Sequence, residues 1–244
     1  MAESNLVLHR GARRVSPEEL QQYQAPPPEG RWFPLSHGRV LSVVSRTLTE
    51  AGYAIVKQQL GVMRDGSRFF ATLDLSSPVA EGVSLAVGVR NSVDKSFPLG
   101  FCAGSRVFCC DNLAFRSELL VRRKHTIHGE RDFTRRIFEA VASLDAFREQ
   151  EAARTERLGR TELDEDLADA LMLRAFERGI VGARELPRVL QQWRNPPFEE
   201  FRPRTAWSLL NAFTGAMKER ARWQPHAYAA QSMRLHALLA PSEN

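Results

Sequence analysis

Lysine is scarce in this chain of 244 residues: Lys57, Lys95, Lys124 and Lys218 are the only four, against 34 lysines and arginines together. The formal charge of +5 is therefore carried by arginine. Arginine presents a flat fork of donors that matches phosphate oxygens, which lysine does not. A GC-rich genome, favouring arginine and alanine codons, would leave the same imprint, and net charge speaks to non-specific partners rather than to fold. Cysteine is also sparse. Cys102, Cys109 and Cys110 form an odd set on one expected strand, where adjacent residues point to opposite faces and are hard to bridge. That argues against a disulfide framework and predicts reduced thiols, at least two of them mostly buried. Apolar runs long enough to cross a bilayer are missing, and residues 1–14 are polar and basic rather than leader-like. A cytoplasmic chain with no membrane partner is expected.

Hydrophobic residues at 43% and charged residues at 26% suit a globular protein with a real core. Residues 1–34 read as an arm. In it, Ser16-Pro17-Glu18-Glu19 is a capping box opening a short helix that the prolines at 26–28 stop. Ser36 then caps a helix with Val40, Leu41, Val43, Val44 and Leu48 on one side, closing at Gly52. Residues 53–63 and 68–75 flank Arg64-Asp65-Gly66-Ser67, and Asp-Gly between apolar runs predicts a tight hairpin of type I′ with Gly66 at positive φ. Val83, Leu85, Val87 and Val89 alternate in a third strand, and Phe101, Ala103, Ser105, Val107 and Cys109 in a fourth. Residues 118–124 make a fifth.

The rest reads as helix. Phe133, Ile137, Val141, Leu144 and Phe147 form a core stripe. Thr161-Glu162-Leu163-Asp164 opens a helix ending at Gly179, followed by helices over 183–193, 205–222 and 225–239. Pro187 requires that the first of these three begin beside it. The expected class is α+β: an antiparallel sheet with a β-hairpin and covering helices, then a helical C-terminal half. The expected units are the arm (1–34), an α+β domain (35–160) and a helical region packed on it (161–244).

Polar groups concentrate between the third and fourth strands. Arg90-Asn91-Ser92, Asp94, Arg106-Val107, Cys110 with Asn112, and Lys124-His125 resemble the phage- and plasmid-like proteins catalogued as domain of unknown function 932. Thr205-Ala206-Trp207-Ser208-Leu209-Leu210-Asn211-Ala212-Phe213-Thr214 extends the likeness toward the C-terminus. The family's Asn-Ser-His-Asp-Gly-Ser run has Val93 for His and Lys95 for Gly here. The resemblance implies a bacterial, mobile-element setting and brings no activity with it.

Two candidate sites follow. Asn91, Ser92, Asp94, Lys95, Arg106 and Asn112 are candidates for a polar site. As an enzyme pocket it would use Asp94 as general base and Lys95 or Arg106 as anion clamp. As structure, the same amides and arginine would satisfy the carbonyls of a bent loop. Arg122, Arg123, Lys124, His125, Arg131 and Arg135 are candidates for binding nucleic acid. Arg116 and Arg136 add to their charge, and Glu118, Glu130 and Asp132 oppose it. Clustered cations track a phosphate backbone, and Phe97, Phe101 or Phe115 would offer bases a ring to stack on.

Ser92-Val93-Asp94-Lys95 spells Ser-x-x-Lys, but that chemistry needs the serine at a helix N-terminus. Cys102, Cys109, Cys110, His125 and His128 are zinc-type ligands without zinc-finger spacing. No metal or cofactor is expected. The leading reading is a non-enzymatic protein that binds nucleic acid, single-stranded DNA in particular, in replication or recombination. A helix, a hairpin, further strands and a covering helix also resemble the topology of single-strand annealing proteins. An enzyme for a small or phosphorylated substrate is one alternative. A protein-interaction module using exposed apolar residues on the C-terminal helices is the other.

Overall fold

The computed structural model describes residues 12–107, 112–218 and 225–239, with the backbone alone over 106–107, 112–120 and 225–230. Among them six strands form one antiparallel sheet in sequence order: β1 (Arg13–Arg14), β2 (Ile55–Val62), β3 (Arg68–Ala80), β4 (Val83–Ser92), β5 (Leu99–Val107) and β6 (Asn112–Arg123). The helices are α1 (Pro17–Gln21), α2 (His37–Glu50), α3 (Gly129–Ala142), α4 (Leu144–Arg160), α5 (Glu165–Glu177), α6 (Leu186–Arg194), α7 (Ala206–Ala216) and α8 (Pro225–Leu239). The chain is α+β. No helix among the described residues is long and apolar enough to cross a membrane.

Local chemistry explains several boundaries. Ser16 and Glu19 close a reciprocal capping box at α1, and the Ser36 hydroxyl accepts from Arg39 N to start α2. Asp164, not Thr161, caps α5, its Oδ1 accepting from Leu167 N at 2.7 Å. Thr161 instead ends α4, its hydroxyl bonding back to the Arg157 carbonyl. The stripe from Phe133 to Phe147 is buried as expected, but the helix beneath it breaks at Ser143 into α3 and α4.

The β2–β3 turn corrects the expected turn type. Gly66 N donates to the Met63 carbonyl at 2.8 Å, and Gly66 takes φ 71° while Asp65 does not turn positive. This is a right-handed turn closed by a left-handed glycine rather than type I′. The Asp65 carboxylate explains it by accepting from both Ser67 N and Ser67 Oγ, an Asx turn that holds the loop.

Strands run longer than alternation implied. β3 continues past Leu75 through Pro78, which lies at a register shift beyond the last residue paired to β2. There a missing N–H costs no ladder bond. β4 reaches Ser92, and β6 begins at Asn112. β4 is also buried on both faces. Val83, Leu85, Val87 and Val89 enter one core with α2, α3 and the start of α4, while Ala86 enters a second core with α5 to α8. The small partners Ser84, Ala86 and Gly88 are the residues that let helices approach the second face.

Candidate functional site

The end of β4 meets the arm. Asn91 pairs with Phe69 of β3 and is fully buried. Its Nδ2 donates to the Leu35 carbonyl at 2.8 Å and to His37 Nδ1 at 3.0 Å. His37, at the start of α2, turns Nε2 to the Gly66 carbonyl at 2.9 Å and stacks on Phe69 with ring centroids 5.5 Å apart. His125, in the loop after β6, accepts from Leu35 N through Nδ1 at 3.2 Å, and its own carbonyl accepts from Phe33 N. Burial pushes both histidines below the ordinary value.

Beyond Asn91 the loop folds onto itself. Ser92 Oγ donates to the Phe97 carbonyl at 2.7 Å and accepts from Phe97 N. Asp94 accepts from Arg68 Nε at 2.8 Å and from Ser96 N at 3.0 Å. Burial works against its charge, yet these bonds hold its carboxyl below the usual range. Lys95 takes φ 65°, the only positive value for a non-glycine among the described residues. It pairs with Glu29 and stands 4.9 Å from the Trp32 ring centroid. The side chains of Asn91, Ser92, Asp94 and Lys95 are thus engaged with the loop itself, the arm, the start of α2 and β3.

Arg106 lies elsewhere. Its backbone pairs with Ser84, and Val107 pairs with Asn112. Ser84 and Asn91 are at opposite ends of β4, roughly 23 Å apart at 3.3 Å per residue. The register separates Arg106 and Asn112 from the loop that sequence proximity joined them to.

The cations gather at the other side of the same sheet end, where β6 runs antiparallel to β5 and returns toward the loop. An open groove of about 470 Å³ is lined by Pro98, Arg122, Arg123, Lys124, Thr126 and Asp132. Charges are partly spent here. Arg123 pairs with Asp132 at 2.7 Å, Arg135 with Glu139 at 2.8 Å and Arg136 with the same Glu139 at 3.6 Å. Glu130 is taken by Arg39 of α2. Arg122, Lys124 and Arg131 are exposed and have no ion-pair partner among the described residues. His125 is buried under the arm and does not join this surface.

The aromatic candidates divide too. Phe101 is core at 1% exposure and offers no platform. Phe97 lies beneath Arg90, whose guanidinium carbon is 5.1 Å from the ring centroid, and against Phe70 at 5.3 Å. The side chain of Phe115 falls outside the described residues. Exposed Phe138, at 67%, was not singled out from the sequence. Its place three residues after Arg135 on α3 was the available signal.

Cys102 donates to the Gly88 carbonyl at 3.8 Å, and burial pushes its thiol up to about 12. Cys109 and Cys110 lie outside the described residues. Among the described residues no group of three His, Cys, Asp or Glu side chains could hold a metal. Asn211 donates to the Trp207 carbonyl one turn back, an anchor within α7.

A family model described as Domain of unknown function (DUF932) matches residues 29–239. The chain belongs to the DUF932 family. The match takes in the arm from Glu29, the loop, the groove and α8. Comparison with the curated proteins and with the solved structures found no match.

Proposed function

We infer that this DUF932 member is a non-enzymatic protein that binds nucleic acid, holding a single DNA strand by its phosphates at the corner between β6 and α3. One observation carries the reading. Arg122 and Lys124 line an open groove, with Arg131 exposed on the adjoining helix, and none has an ion-pair partner among the described residues. Unneutralised cations beside a concave surface favour a polyanion. Replication or recombination of mobile elements, inside the cytoplasm, is the setting that suits it.

Fluorescence anisotropy with a labelled single-stranded oligonucleotide across a salt series tests this. Binding should weaken steeply, with the logarithm of affinity falling by about 0.7 per neutralised phosphate per log unit of salt. Absence of binding at low salt overturns it. The enzyme alternative gains nothing from the loop, whose described polar side chains are committed to the loop backbone, the arm, the start of α2 and β3. The protein-interaction alternative has one observation in its favour. Leu173 and Phe176, a turn apart on α5, are 54% and 40% exposed. Self-association or partner binding that Leu173→Ser abolishes would decide for it.

A further inference from the structure

Helix α3 has two unlike faces. Phe133, Ile137, Ala140 and Val141 are buried and belong to the core beneath the sheet. At about 100° per residue, Arg131 and Phe138 lie within about 20° of one line along the helix, two turns apart. Arg135 falls between them, three residues before the ring, while Ala140 is about half a turn round from Arg131. Arg131, Arg135 and Phe138 therefore make one exposed stripe turned away from the core. Its start is placed by Asp132, which lines the groove and pairs with Arg123. The stripe begins beside the groove and leads away from it.

Phe138 is the most exposed aromatic ring among the described residues, at 67%, and no other ring or cation among them covers it. A lone exposed apolar residue is ordinary on any surface. What marks this one is its line with the cations. Ile127 repeats the pairing at the near end: it is 68% exposed, follows Thr126 of the groove wall and stands four residues before Arg131. Glu139, beside the ring in sequence, would repel a phosphate, but Arg135 and Arg136 share its charge. Arg131 has no ion-pair partner among the described residues, so the field along the stripe is positive.

We propose that Phe138 is a platform on which one base of a single nucleic-acid strand stacks, while Arg131 and the groove hold its phosphates. The ligand class rests on the nucleic-acid reading above, whereas the platform rests on the α3 stripe. Every base has a π-face, so stacking on a ring adds affinity without sequence preference. The rise from Arg131 to Phe138 is roughly 10 Å. That spans about three nucleotides at the stacked spacing of ~3.4 Å, and fewer in an extended strand. In a duplex each base is already stacked and turned inward, and bringing it out costs unstacking. The ring therefore gives this corner its preference for a single strand.

Phe138→Ala and Phe138→Trp test the platform on the full chain, by anisotropy with three labelled probes. These are an oligothymidylate, an abasic phosphodiester strand of the same length, and a duplex. The site is exposed and tolerant of substitution, and thermal melting checks that both variants fold. The parent should prefer the thymidylate to the abasic strand. Phe138→Ala should lose that preference, its thymidylate affinity falling about fivefold or more, as expected for one stacked base. Its affinity for the abasic strand and the duplex should not change. Nor should its salt slope, because no phosphate contact is removed. Phe138→Trp should match or exceed the parent on the thymidylate. If Phe138→Ala binds thymidylate as the parent does, or weakens equally for all three probes, the platform is refuted and the phosphate reading stands. If the parent binds none of the probes at low salt, the nucleic-acid reading falls and the platform falls with it.

Discussion

Lowering the pH from about 7.5 to about 5.5 should weaken this fold through His37 and His125. Burial holds both rings below the ordinary histidine value. At His37 the Gly66 carbonyl and the charge of Asp94 oppose that direction without reversing it. At His125 the charge of His37 adds to burial, and the Ser92 and Phe33 carbonyls oppose it. Geometry gives the same sense independently. A backbone N–H can only donate, so the His125 Nδ1 that faces Leu35 N is an unprotonated acceptor. His37 Nε2 faces a carbonyl and carries the hydrogen, leaving Nδ1 to accept from Asn91. Each ring is neutral when folded, and protonation of Nδ1 breaks the bond that fastens the arm or Asn91.

An unfolded histidine titrates near ~6.5, so below that pH the unfolded chain takes up protons that the folded chain refuses. The contribution is fully present above ~6.5 and is lost as the pH falls through the depressed folded values. Within that window the slope can reach about 1.4 kcal/mol per pH unit for each ring and about 2.7 for the pair. Urea denaturation over the pH series reads it directly. His125→Phe should remove about half of the slope and cost about 1–3 kcal/mol at neutral pH, because Leu35 N–H loses its acceptor. Taking the difference between parent and variant cancels the other titrating groups. Unchanged stability across the range, or an equal slope in His125→Phe, would refute the reasoning.

Gly66→Ala should destabilise by about 1–3 kcal/mol, since φ is 71° and a Cβ would sit 2.9 Å from the Tyr23 ring. Gly82→Ala, at φ 69° with open space around it, should cost about 1–2 kcal/mol; equal losses by chemical denaturation would show the Tyr23 contact to be irrelevant. Trp193→Ala should cost about 3–5 kcal/mol in the same assay, because the indole is buried and its Nε1 donates to Glu165 at 3.2 Å. Arg131→Ala should leave stability within about 0.5 kcal/mol and lower the salt slope of oligonucleotide binding by about one unit. Arg135→Ala should do less to that slope, since Glu139 already holds its charge.

Periodicity and capping were enough to read the α+β class, the α2 face and the β2–β3 hairpin, because each rests on local chemistry. The strand limits were harder to read. β4 and β6 are longer than their alternation implies, since burial on both faces of β4 removes the polar partner that alternation relies on. β1 is two arginines paired to the edge of β2, with nothing apolar to announce it. The candidate site divided for a similar reason. Proximity in sequence joined Arg106 to Asn91, whereas register puts them at opposite ends of one strand. Register also aligned Arg90 with Arg122, which are distant in sequence. A composition or spacing pattern carries no information about which residue of one strand faces which residue of another.

The conformation of Lys95 shows how the loop is coupled to the groove. A side-chain-bearing residue at φ 65° costs about 1–2 kcal/mol, and the run that this loop resembles has glycine there. What Lys95 gains is attachment: an ion pair to Glu29, which contributes little at the surface, and a cation–π contact with Trp32 of about 0.5–1 kcal/mol. Those terms offset the strain without exceeding it, so the net effect is position rather than stability. Glu29 and Trp32 are tied to Lys95, and Phe33 and Leu35 to His125. Ser92 in turn grips both the N–H and the carbonyl of Phe97. Pro98, the next residue, is a wall of the groove that Arg122 and Lys124 share. The loop therefore converts attachment of the arm into the placement of one groove wall, which is a reason for its polar side chains to be spent on each other.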